Sequence, residues 1–143
     1  MKELFHCVFS FIYVTIVTEM RKGDCVMDVN DVLSTMMQEC IDKMLEIGIP
    51  VAKDSINSID FKKLNRINAG CYYECVDGNM VYDIVIHNGV VRYIDDDVVL
   101  NNVRNSIYHE LLHTCPNCSW HNDEFVKWSK ICNEKLGTHT TSC

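Results

Sequence analysis

His109 and His113 stand one helical turn apart within a stretch, Asp97 to His113, whose apolar residues recur at helical spacing. No other feature of the sequence restricts the fold as strongly. At about 100° per residue, positions i and i+4 share one face of a helix. Asn102, Asn105 and Ser106 extend the polar side of this helix, while Val103, Ile107 and Leu111 form an apolar side. Such a helix needs a core against one face and an accessible cleft against the other.

The 143 residues suit one ordinary domain, and 48% hydrophobic with 23% charged residues is the balance of a globular chain rather than a disordered one. The pattern divides it into an apolar N-terminal segment, 1–26, and a folded domain, 27–143. From Asp28 or Asn30 a helix begins, with Val32, Met36, Cys40, Met44 and Ile47 near one face and Leu33, Met37, Ile41 and Leu45 beside them. Gly48 stops it and Pro50 keeps it from resuming.

Residues 58–94 read as strands. Ile59, Phe61 and Leu64 alternate with polar neighbours, and Cys71–Val76 and Met80–His87 flank the turn Asp77-Gly78-Asn79, a hairpin signal. Asn88-Gly89 predicts a second turn before a strand over Val90–Ile94. Two helices follow, from about Asp97 to His113 and from about Asn122 to Leu136, the latter ended by Gly137. The expected architecture is α+β: an N-terminal helix, a small antiparallel sheet, the histidine-bearing helix and a C-terminal helix, with helices covering one face of the sheet.

His109-Glu110-Leu111-Leu112-His113 is an HExxH pattern. Both imidazoles can reach one zinc ion, and Glu110, one step round the helix, can reach the metal's water without taking a coordination place. The competing reading is a surface histidine pair with a salt-bridged glutamate. A catalytic zinc keeps three protein ligands and an open position. His121 is the expected third ligand, since Pro116 lets the intervening loop turn back. Glu124 is the carboxylate alternative, and His139 is less suited, in a tail that reads as frayed.

Cys115-Pro116-Asn117-Cys118 admits three readings: loop thiols beside the metal, a redox dithiol, or thiolates that close the zinc site and abolish hydrolysis. The first is preferred. The oxyanion stabiliser is not identified, and Tyr72, Tyr73, Tyr82 and Tyr108 are candidates only through their hydroxyls.

The formal charge of −7, scattered basic residues and the block Asp95-Asp96-Asp97 disfavour direct nucleic-acid binding. Nine cysteines, an odd number without regular spacing, suit reduced thiols and a cytoplasmic location better than a disulfide scaffold. The apolar run 4–17 is shorter than the about 20 residues of a membrane span and lacks a small-residue cleavage site after it. It reads as a buried or terminal segment rather than a membrane anchor or leader.

The stretch His109 to Cys118, followed by His121-Asn122-Asp123-Glu124-Phe125, resembles the SprT-like zinc metallopeptidases, the family that includes the protease Spartan. His121 and Phe125 match its histidine and the aromatic residue at the start of its last core helix. Ala69-Gly70-Cys71 and the strand Tyr82–Ile86 look like its Ala-Gly turn and the strand before its active-site helix. The resemblance covers roughly Asp28 to Gly137. It departs at Asn122, where glycine is common, and no zinc ribbon follows. It implies a zincin-like fold, one catalytic zinc held by His109, His113 and His121, Glu110 as the catalytic residue, and a protein or peptide substrate. It also keeps a nucleic-acid partner open against the argument from charge.

Overall fold

The computed structural model describes residues 28–141. The apolar run 4–17, and with it the expected segment 1–26, lies outside them. Helix α1 (Val29–Glu46) starts where the Asp28 side chain accepts the Asn30 backbone N–H at 3.1 Å. It ends just before Gly48, whose φ of +88° places the chain in the left-handed region that glycine enters without strain. Its buried stripe is Leu33, Met36, Cys40, Ile41 and Met44.

Strands β1 (Ile56–Lys62), β2 (Ala69–Val76) and β3 (Asn79–His87) form one sheet in the order β1-β3-β2. The hairpin β2–β3 lies where the turn residues placed it, with Val76 opposite Asn79. The sheet as a whole departs from the antiparallel expectation, because β1 pairs with β3 in parallel. Turn signals report only on strands adjacent in sequence, and β1 reaches β3 without a hairpin. As the central strand, β3 buries Ile84, Val85 and Ile86 in succession. A strand covered on both faces loses its alternation.

The strand expected over Val90–Ile94 is instead part of a 3-10 helix, Asn88–Tyr93. His87 Nδ1 accepts the Gly89 N–H at 2.8 Å and turns the chain out of the sheet. A Cβ at residue 89 would stand 2.9 Å from that same nitrogen, so the turn requires glycine. Leu64 likewise falls beyond β1, which closes at Lys62.

Helix α2 (Asp97–Leu112) is capped by Asp96, which accepts the N–H groups of Val98 and Val99 at 2.9 and 3.1 Å. Part of the acidic block thus satisfies a helix terminus. Helix α3 (Asp123–Leu136) ends at Gly137, φ +65°. α1 packs on β1, and α2 on β2 and β3. Ile59, Ile84 and Ile86 join Leu33, Met44, Val103, Ile107, Leu111 and Phe125 in one core. The fold is mixed α/β, consistent with α+β. Among the described residues no helix is long and apolar enough to cross a membrane.

Asp83 ties the parallel pair together, accepting from Ser58 Oγ at 2.6 Å and Asn57 Nδ2 at 2.9 Å. These hydrogen bonds, that from Ser58 first, hold its carboxyl below its usual range. A depressed carboxyl stabilises the fold above its unfolded pKa and loses that contribution as pH falls through the folded one. Asp83→Ala is therefore expected to cost about 1 kcal/mol at pH 7, after allowance for solvent screening. Urea unfolding of both forms should show the difference shrinking as pH falls below about 4.

Candidate metal centre

The polar face of α2 carries the first two imidazoles. Val103, Ile107 and Leu111 are buried in the core, which fixes the rotation of the helix and turns His109 and His113 outward on the other side. The chain then loops through residues 113–122 and brings His121 back. His121 Nε2 lies 3.1 Å from His109 Nε2 and 3.2 Å from His113 Nε2. The three ring centroids are 4.9–5.1 Å apart, nearly an equilateral triangle.

These nitrogen–nitrogen distances suit a hydrogen bond between neutral imidazoles and also suit a shared metal ion. Tetrahedral zinc with Zn–N bonds of about 2.0–2.1 Å would set its nitrogens about 3.3 Å apart. The spacings here fit a divalent ion of that size. His109, His113 and His121 form a group able to hold a metal ion, with every ligand atom within 4.8 Å of the others. Burial first, then the neighbouring His113 and His121, pull the pKa of His109 down to about 4. Burial also lowers that of His113. Both rings therefore keep lone pairs for a metal at neutral pH.

Phe125, fully buried in the first turn of α3, lies beneath all three rings, with centroids 5.0, 4.6 and 4.7 Å from those of His109, His113 and His121. Backbone groups orient the ligands from behind. His113 Nδ1 donates to the Cys118 carbonyl at 2.8 Å, which leaves Nε2 unprotonated and aimed at the centre. His109 hydrogen-bonds to the backbone at Thr141.

Asn122, the residue after the third histidine, holds two elements together. Its Oδ1 accepts the Phe125 N–H at 3.0 Å and caps α3. Its Nδ2 donates at 2.6 Å to the carbonyl of Asn117, which adopts a left-handed φ of +61°. Glycine, common at this position in the resembling family, could do neither with a side chain. The departure at Asn122 thus supplies a brace for His121.

Glu110 lies outside the histidine group and is tied to the sheet. It is 7% exposed, its carboxylate accepts a backbone hydrogen bond from Cys71 on β2, and burial pushes its pKa up to about 7 against that bond. The salt-bridged surface glutamate is not what the fold builds. Glu124 instead pairs with Lys127 at 3.5 Å on the surface of α3, and it is outside the histidine group.

The Cys115 and Cys118 thiols lie near the Leu111 and Pro116 carbonyls, at 4.0 and 3.5 Å, and neither joins the histidine group. The six described cysteines are unpaired, and burial pushes Cys115 up to about 12. His139 is exposed and also lies outside the group, but its tail is not frayed. The His139 N–H donates to Asn105 Oδ1 at 3.0 Å, and Asn133 Oδ1 accepts from Thr138 Oγ1 and from the Thr140 N–H. The alternating threonines Thr138 and Thr140, both buried, were the available sign of this docking.

Comparison of the chain with protein-family models, with curated proteins and with solved structures finds no match.

One divalent ion per chain is the expected stoichiometry by elemental analysis after dialysis. His121→Ala should lose it, whereas Cys115→Ser/Cys118→Ser should retain it. Asn122→Ala is expected to lower stability by about 1 kcal/mol and metal affinity by roughly 10-fold. Chemical denaturation and competition with a chromogenic chelator would measure the two effects.

Proposed function

We propose that this protein is a zinc-dependent metallopeptidase of the SprT-like, zincin type, hydrolysing peptide bonds in protein or peptide substrates. The observation that carries the reading is the three-histidine group with Glu110 held apart from it. Among the described residues that group contains no fourth protein ligand. Structural zinc sites are normally closed by four protein ligands, whereas catalytic ones keep a position open.

A zinc ion bound there would supply Lewis acidity, making water a stronger acid and polarising the scissile carbonyl. His109, His113 and His121 would hold it. Glu110 would take a proton on its carboxylate from the attacking water and return it to the leaving amine. The Cys71 N–H fixes the carboxylate, and burial leaves it able both to accept and to release a proton near neutral pH. The unpaired thiols support a cytoplasmic setting.

The other reading, a zinc-stabilised adaptor closed by Cys115 or Cys118, would need one of those thiols to join the histidine group, and neither does. Their thiols lie against the Leu111 and Pro116 carbonyls instead, which favours the open site.

Glu110→Gln is expected to keep its metal and to lose cleavage of a fluorogenic peptide library by roughly 10²–10⁴-fold. Equal cleavage by the two forms would defeat the assignment.

A further inference from the structure

The helix-facing side of the hairpin continues past the core. Cross-strand partners share a face, so Cys71 with Ile84, Tyr73 with Tyr82, and Cys75 with Met80 make a ladder along one side of β2 and β3. Its inner end is closed: Ile84 is buried, and Cys71 is the residue whose backbone bonds Glu110. Its outer end is open, with Tyr73 52% and Met80 37% exposed. Tyr82 lies between the two, influenced by Cys71 and Cys115 on its inner side and ring to ring with Tyr73 at 6.3 Å. An aromatic and thioether stripe thus runs across the edge strand β2 and the central strand β3, from the Cys71 backbone that holds Glu110 out to solvent.

We infer that Tyr73, Tyr82 and Met80 form the subsite that selects a large apolar side chain, aromatic or branched aliphatic, in the peptide presented to Glu110. This rests on the peptidase reading of the site. A chain running along β2 toward Glu110 would lay side chains along this ladder, because Cys71, whose backbone bonds the carboxylate, is two residues from Tyr73 on the same face and Tyr73 pairs with Tyr82. Exposed tyrosine and methionine lose water-accessible apolar area only when something apolar covers them. The stripe carries no charged side chain, so it rewards size and apolarity rather than charge. The same strand supplies its own control, since Tyr72 is equally exposed at 52% but points to the opposite face, its ring folded back over Gly70.

The test is peptide binding to the metal-loaded Glu110→Gln protein, in which turnover does not interfere. Fluorescein-labelled heptapeptides of alanine and serine carry one phenylalanine or leucine scanned through every position. The best of these should bind at least about 10-fold tighter than the unsubstituted parent, the scale of an apolar side chain entering a pocket. Adding Tyr73→Ser and Met80→Ser should reduce that advantage to less than about 3-fold, with metal content and thermal unfolding checked alongside. Adding Tyr72→Ser instead should leave it intact. An advantage that never appears, that survives loss of Tyr73 and Met80, or that falls equally with Tyr72→Ser would overturn the inference. Wild-type protein that binds with this preference but cleaves none of the peptides would instead defeat the peptidase reading alone.

Discussion

Phe125 packs its ring under His109, His113 and His121 at once, and both the core and the three-histidine group depend on that contact. Its burial docks the first turn of α3 against α2. It is also the residue whose N–H Asn122 caps, so the same turn that fills the core aims His121. Bringing polar rings together on an apolar floor is tolerable only while they are neutral, and burial keeps His109 and His113 in that form. The ligand set is thereby organised by packing before any ion arrives.

The two sides of α2 divide the remaining work. Val103, Ile107 and Leu111 fix the helix on the sheet, His109 and His113 face the loop that returns His121, and Glu110 turns toward β2. Held by the Cys71 backbone, it stays separate and retains its proton affinity. The hairpin therefore does more than cover the core, since its edge strand β2 also holds the Glu110 carboxylate through the Cys71 backbone.

The features legible in the sequence were those set by neighbours in the chain. Asp28 and Asp96 as caps, Gly48 and Gly137 as stops, the Asp77-Gly78-Asn79 hairpin and the one-turn spacing of His109 and His113 are local physics. His121 was reached by the same logic, because Pro116 and the short loop left it few other places to go. The parallel pairing of β1 with β3 was not legible, since it depends on hydrogen bonds between segments without a turn between them. The docked tail was missed for a related reason: Thr138 and Thr140 are polar by composition, and only Asn133 and Ser129 make them worth burying. The orienting roles of Cys118, Thr141 and Cys71 belong to backbone atoms, which no residue type announces.

Three imidazoles make up the candidate metal site, and neither loop thiol joins them. X-ray absorption at the zinc edge on the purified, zinc-loaded protein tests this arrangement most directly. The expected result is a first shell of nitrogen and oxygen only, at about 2.0–2.1 Å, with the outer-shell scattering of three imidazole rings. A sulfur scatterer at about 2.3 Å would contradict it, because it would put Cys115 or Cys118 in the position left for water and substrate.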